Sequence, residues 1–278
     1  MLFTNSRRIN SENFTPKIKN IPIEKKTVAC FLGVLIDDKL SWSQQIAAIK
    51  SKMSKYVGIL YKLRDILPLS ARKNIFHSFV QSQLNYCSLV WGLSSKSNID
   101  SLFTVQKQAI RSLITTNVNY FYNDGNLPTH TKPTFKSLGI LTVHNTITKS
   151  ILLFMTKVHN LPQLLPTSIR HTIAQDAPIP GSTHETCGDW LNKYSAKPYT
   201  NSIFYKGPLL YTANANMYDK YESTHRSISS YKNIFKTYLT KIQNLGDNEI
   251  WEASNFKLYY TPGLRQSARS NRAIIFSH

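Results

Sequence analysis

The sequence predicts a mainly α chain with a short N-terminal β-hairpin, a helical bundle in its first half and an irregular α+β region in its second. Three observations predict this. Apolar residues recur at steps of three and four along several long stretches between residues 41 and 245. Short β-like runs precede residue 37. Prolines crowd the stretch between Leu161 and Tyr199, where helical periodicity fades.

Residues 1–20 are polar and irregular. Ile21-Pro-Ile23 and Val28 to Ile36 read as two strands of a hairpin, separated by Glu24-Lys-Lys-Thr27, with Phe31, Leu32, Val34, Leu35 and Ile36 as core residues. A helix follows, capped by Ser41 or Ser43. Trp42, Ile46, Ile49, Met53, Val57, Leu60 and Leu63 form one apolar stripe, with Lys52, Lys55 and Lys62 opposite, and Pro68 ends the helix. Ser70 caps the next segment, in which Ile75, Phe76, Phe79, Val80, Leu84 and Cys87 share a side, up to a stop at Trp91-Gly92. Ser97-Asn-Ile-Asp100 has capping-box spacing with Asp in the Glu position. The helix it opens carries Leu102, Val105, Ala109, Ile110, Leu113 and Ile114, while Lys107 and Arg111, four apart, share a face.

Residues 115–141 are rich in turn signals, with Thr134 to Leu138 as one helical turn. A long helix runs from Val143 to Val158 over Ile147, Ile151, Leu152, Phe154 and Met155. The proline-punctuated stretch from Leu161 to about Tyr199 reads as a linker or extended loop, and Ser202 to Tyr211 as strand-like, broken at Gly207-Pro208. An amphipathic helix from Ser229 to Leu245 carries Ile234, Phe235, Tyr238, Leu239 and Ile242. Four segments result: 1–40, 41–116, 117–160 and 161–278.

Composition narrows the function classes. Lys and Arg number 34 against 15 Asp and Glu, a formal charge of +19, with a pI near 9.8. Such an excess attracts polyanions, and nucleic acid or an anionic membrane surface are the usual ones. Cys30, Cys87 and Cys187 are isolated and odd in number, which excludes a disulfide framework and favours a reducing compartment. No secretory leader is expected, and Ile151-Leu-Leu-Phe-Met155 is far too short to span a bilayer, so a soluble intracellular protein, cytoplasmic or nuclear and without a membrane partner, is expected.

Sites of chemistry are scarce. Asp37-Asp38 is the tempting catalytic pair, but two-metal phosphoryl transfer needs converging carboxylates about 4 Å apart at the ions. No Asp precedes Asp37. A turn with acidic residues near a helix N-terminus is the simpler reading of the pair. His130, His144, His184 and Cys187 are the available metal set; His184 and Cys187 have ligand-like spacing but no second close pair, so no metal is expected. Trp42 and Trp91 lie in apolar runs and read as core rather than as stacking platforms. There is no Gly-rich phosphate loop and no Gly-x-Ser-x-Gly elbow.

One ordered series stands out: Phe31-Leu-Gly33, Leu40-Ser-Trp42, Lys62-Leu-Arg64, Leu67-Pro68, Leu84-Asn-Tyr-Cys87, Trp91-Gly92, Gln106-Lys107 and Ala109-Ile-Arg111. Leu127-Pro-Thr-His130, Phe135-Lys-Ser-Leu138, Lys206-Gly-Pro208 and Ser230-Tyr-Lys-Asn-Ile-Phe-Lys236 continue it. The series, over about residues 25 to 245, resembles the C-terminal portion of reverse transcriptases from non-LTR (LINE-type) retrotransposons. The resemblance implies that residues 1–40 hold a palm remnant whose Phe31-Leu32-Gly33 is the primer grip. It implies that residues 41–116 are a thumb-like bundle lying along the primer–template duplex. It also implies that the remainder belongs to the element protein's C-terminal region. The family's fingers, palm aspartates, endonuclease and zinc knuckle have no counterpart in the sequence. Magnesium is therefore expected of an intact polymerase and no cofactor of this chain.

On that basis Phe31, Leu32 and Gly33 would position a primer end, with Gly33 allowing close backbone approach. Lys52, Lys55, Lys62, Arg64, Arg72, Lys73, Lys107 and Arg111 would contact phosphates without regard to sequence. The plain alternative is solvated helix faces, with Arg64 turned toward the apolar stripe. The scarcity of acidic partners and the recurrence of basic residues on consecutive helices favour the phosphate track. The function expected is that of a C-terminal reverse-transcriptase fragment, inactive alone, that binds RNA and DNA as a hybrid or duplex within an element ribonucleoprotein. The alternatives are a stand-alone basic helical binding module or a non-functional element remnant.

Overall fold

A computed structural model of the chain describes residues 17–23, 26–114, 122–123, 127–128, 131–160, 166, 203, 206–207, 210 and 228–245. As expected, the described chain is mainly helical with a short antiparallel hairpin near its start. It divides into two compact units. The first takes residues 1–87 and 94–117; the second takes 88–93 and 118–278.

The first unit begins with two small hairpins. β1 (Lys17–Ile18) pairs with β2 (Ile21–Pro22), and β3 (Val28–Phe31) pairs with β4 (Val34–Asp37). The expected pairing of Ile21-Pro-Ile23 with a single strand from Val28 to Ile36 is therefore corrected. The second run reverses on itself, with Phe31 opposite Val34. Leu32 (φ 48°) and Gly33 (φ 77°) form its two-residue turn. Two successive positive φ angles give the primed turn whose twist matches a hairpin. Leucine is a poor residue for that conformation, so the turn carries no sequence flag. The tip projects outward: Phe31 is 66% and Leu32 74% exposed, contrary to their expected place in the core. Val34 is buried, and Leu35 and Ile36 are half-buried.

Helix α1 (Ser43–Leu63) follows. Ile46, Ile49, Met53 and Leu60 form its buried line, as the three-and-four spacing requires. Gln45 also turns inward and its Oε1 accepts from the Leu35 amide at 2.9 Å, tying the helix to β4. α2 (Leu69–Ile75) starts one residue before the expected Ser70 cap, behind Pro68. It continues through a π-helical segment, Phe76–Gln81, into α3 (Ser82–Asn85). The Ser82 amide donates to the His77 carbonyl, five residues back. Phe76, Val80 and Leu84 are buried, while Phe79 is 46% exposed. A π turn advances fewer degrees per residue than an α turn, so Phe79 falls off the buried line. Its ring stacks on Tyr56 of α1, centroids 5.0 Å apart. The helix stops at Tyr86, and Cys87 takes φ 50°, so the expected run to Gly92 is broken.

α5 (Lys96–Ser112) packs most extensively on α1. Its N-cap is Ser95, whose hydroxyl accepts from the Asn98 amide at 3.4 Å; Ser97, the expected cap, lies inside the first turn. Ile99, Leu102, Val105, Ala109 and Ile110 complete the core. Truncating any one of the large buried side chains here costs about 2–5 kcal/mol.

The second unit contains α4 (Ser88–Trp91), the short β5–β6 pair (Tyr122–Asn123 with Leu127–Pro128), α6 (Lys132–Leu138), α7 (Val143–Asn160) and α8 (Ile228–Leu245). Trp91 is fully buried, as its apolar run implies. Gly92 lies against α7: a Cβ there would stand 2.2 Å from the Ser88 carbonyl oxygen and 2.8 Å from Ile147 Cγ2. Ser88 and Ser150 share a hydrogen bond at 2.9 Å, joining α4 to α7. Gly139, in the left-handed conformation at φ 64°, ends α6. Phe135, Ile147, Ile151, Met155, Phe235 and Leu239 form the core between α6, α7 and α8. Ile203, Lys206, Gly207 and Leu210 have helical backbone, which corrects the strand-like reading at those four positions; the rest of the stretch lies outside the described residues. Much of 161–199 and everything after 245 lies outside the described residues.

Candidate nucleic-acid interface

Asp37, at the end of β4, sets the entry to α1. Its Oδ1 accepts from the amides of Lys39 (3.2 Å) and Ser41 (2.9 Å), and its Oδ2 from Trp42 (2.8 Å). The chain needs this anchor because Leu40 (φ 52°) and Trp42 (φ 65°) both adopt left-handed conformations between the strand and the helix. Neither Ser41 nor Ser43 caps α1 as expected; Trp42 holds the N-cap position without a side-chain cap. Burial pushes the Asp37 carboxyl up, but the amides of Ser41, Trp42 and Lys39 outweigh it and hold it below the ordinary value. Asp37 is thus the acidic turn residue at a helix start that the sequence suggests. Its two oxygens face three backbone amides. Among the described residues no three His, Cys, Asp or Glu side chains converge to hold an ion. His144 is buried in α7, and His130, His184 and Cys187 lie outside the described residues.

The β3–β4 tip is a raised, apolar point. Tyr86 reaches it from the end of α3 and donates its hydroxyl to the Leu32 carbonyl at 2.5 Å. The space around Gly33 is open: the nearest atom to an added Cβ is the Tyr86 hydroxyl at 3.9 Å. Glycine is required there by its φ of 77° rather than by close approach of another backbone.

The basic residues separate into four kinds. Lys52, Lys55 and Lys62 are exposed on α1, and Arg111 is exposed on α5, with no carboxylate partner among the described residues. Lys73 is half-buried, and half-buried Lys107 holds its ammonium 4.9 Å from the Phe103 ring centroid. Arg64 is engaged locally: its Nε donates to Asp65 Oδ2 at 3.1 Å and its guanidinium lies 4.0 Å from the Tyr61 ring centroid. Arg72 does not belong on an outer track. It is 5% exposed, and its Nε and Nη1 are buried without a hydrogen-bond partner. Its position explains this: Arg72 lies four residues before Phe76 and eight before Val80, on the inward face of the same continuous helix.

A basic, mainly helical chain with a projecting hairpin beside lysine-lined helices is the class these observations define. Over 118 residues the chain is 28% identical to the probable RNA-directed DNA polymerase from transposon X-element of Drosophila melanogaster; the match covers 38% of this chain and 13% of that protein. This likeness supports a relationship to transposon reverse transcriptases. No family model matches the chain, and no solved structure matches it. Among the described residues no helix is long and apolar enough to cross a membrane.

Proposed function

We propose that the chain is the thumb and C-terminal region of a non-LTR retrotransposon reverse transcriptase, and that its first unit grips an RNA–DNA duplex. One observation carries the reading most directly. Exposed, carboxylate-free Lys52, Lys55 and Lys62 on α1 share a compact unit with the exposed Phe31-Leu32-Gly33 tip. The likeness to a transposon polymerase supplies the choice of polyanion.

In this reading the lysines contact phosphates, and Arg111 and Lys107 on the adjoining α5 extend the contact. The tip offers an apolar knob to a primer terminus. The chain supplies grip rather than bond-making, because Asp37 is committed to the turn before α1. Magnesium then belongs to polymerisation by an intact enzyme.

Filter binding of the chain to an RNA–DNA hybrid across a salt series tests this. The triple substitution K52Q/K55Q/K62Q removes three exposed charges and leaves the core intact. It is expected to flatten the slope of log affinity against log salt by roughly 2.7, at about 0.9 per phosphate contact. An unchanged slope would remove α1 from the interface. Primer extension by the purified chain is expected to give no incorporation, and any incorporation would overturn the grip-only reading.

A further inference from the structure

The second unit has its own accumulation of positive charge. None of its described helices, α4, α6, α7 and α8, contains an Asp or Glu. α7 and α8 pack together through Tyr231, Phe235 and Leu239 of α8, which are all buried. Lys232 and Lys236 flank this buried line and are exposed, as are Ser229, Asn233, Thr237 and Lys241. Lys232 and Lys236 are one turn apart, so their Cβ atoms stand about 5–6 Å from each other. Half-buried Lys149 stands on α7, the helix against which α8 packs. Its amine is held below the ordinary lysine range, first by burial and then by the charges of Lys232 and Lys236. Three lysines on two packed helices therefore act on one another's charge, with no carboxylate among the described residues paired to them.

Such a cluster is unfavourable to the free protein and becomes favourable when an anion joins it. We infer that Lys149, Lys232 and Lys236 form a phosphate-binding site on the second unit, which takes the sugar–phosphate backbone of a nucleic acid. The site is additional to the lysines of α1. It rests on the reading above only in the choice of nucleic acid over another polyanion. A bilayer is a poorer partner: a membrane-surface helix presents large apolar residues outward, and Tyr231, Phe235 and Leu239 of α8 are buried in the protein.

Two measurements on the full chain test the site, using K232Q/K236Q, whose positions are exposed, and K52Q/K55Q as a control outside the site. Inorganic tripolyphosphate at fixed ionic strength should raise the unfolding temperature of the wild type and of K52Q/K55Q clearly more than that of K232Q/K236Q; an equal rise in all three overturns the site. Without polyphosphate, K232Q/K236Q should unfold at a higher temperature than wild type, because the repulsion is gone. On a labelled RNA–DNA hybrid, K232Q/K236Q should flatten the salt slope by about 1.8, so that raising salt from about 50 to 200 mM weakens binding about tenfold less than in the wild type. If K52Q/K55Q alters the slope and K232Q/K236Q does not, the α1 reading survives and this site is overturned. If the hybrid does not bind the wild type at all, the α1 reading fails, and the polyphosphate response alone decides for or against an anion site. Loss of adhesion to anionic phosphatidylserine vesicles in K232Q/K236Q, with the hybrid slope unchanged, would replace the nucleic acid by a lipid surface and overturn the inference.

Discussion

Replacing Asp37 by Asn separates a structural carboxylate from a functional one. Asn keeps the Oδ1 acceptor that faces Lys39 and Ser41. It puts an amide donor where Oδ2 accepted from the Trp42 amide at 2.8 Å, and it removes the charge. A hydrogen bond to a charged acceptor contributes about 1.5–3 kcal/mol, and loss of a helix cap costs about 0.5–2 kcal/mol. Together these place Asp37→Asn near 2 kcal/mol of destabilisation and Asp37→Ala near 3 kcal/mol, where all three amides lose their acceptor. For a unit of roughly a hundred residues, 2 kcal/mol lowers the midpoint of thermal unfolding by about 10 °C. Thermal melts followed by circular dichroism, repeated from neutral to acid pH, measure this. The folded carboxyl titrates below its ordinary 3.8. Its contribution is therefore fully present above that value and is lost as pH falls through the lower folded one. The gap between wild type and Asp37→Asn should stay constant from neutral pH to about 5 and close below the ordinary carboxyl range. If Asp37→Asn melts with the wild type at pH 7, the carboxylate does not hold the start of α1 and the account of the turn is wrong.

Three further outcomes follow from the fold. Leu32→Asn should stabilise the β3–β4 hairpin by about 0.5–1 kcal/mol, since Asn tolerates the left-handed position, whereas Gly33→Ala should cost about 1–2 kcal/mol; chemical denaturation of each variant compares them. Gly92→Ala should destabilise the second unit by at least about 2 kcal/mol, because the added carbon meets the Ser88 backbone and Ile147; a melt that matches wild type would show that α4 can slide off α7. Lys206 is 6% exposed, and burial lowers its amine to about 8. The folded state then binds fewer protons than the unfolded one between about 8 and 10.5, so stability rises with pH across that window. Lys206→Met should flatten the rise, and parallel pH profiles for the two proteins would refute the assignment.

The sequence carried the helices well, because buried lines such as Ile46, Ile49, Met53 and Leu60 obey the helical period whatever the tertiary context. It carried the turns poorly. Leu32-Gly33 reverses a strand with a residue that propensity assigns to a strand interior. Ser95 rather than Ser97 caps α5, a choice between two serines two residues apart that spacing does not make. Phe79 and Arg72 exchange expectations: the π segment carries the aromatic outward, and the turn before it carries the guanidinium inward. The only warning was spacing, since Arg72 stands four residues before Phe76 in the buried series. Lysines on α1 were legible as exposed from their angle to the apolar stripe. The convergence of Lys149 with Lys232 and Lys236 was not, because it joins positions more than eighty residues apart and depends on how α7 meets α8.

Ser88–Leu93 belongs to the second unit although first-unit chain lies on both sides of it. No single cut releases either half intact. A fragment ending near residue 117 would carry Trp91 and Gly92 away from Ile147 and turn a fully enclosed indole into a sticky surface. A fragment starting near residue 118 would leave α7 with an empty seat. During synthesis the ribosome delivers Trp91 some fifty residues ahead of α7, about 3–10 s at ordinary elongation rates, an interval in which that indole has no native cover. Shortened versions intended for binding studies should therefore keep residues 88–160 together, or replace Trp91 and Leu93 when they are separated from α7.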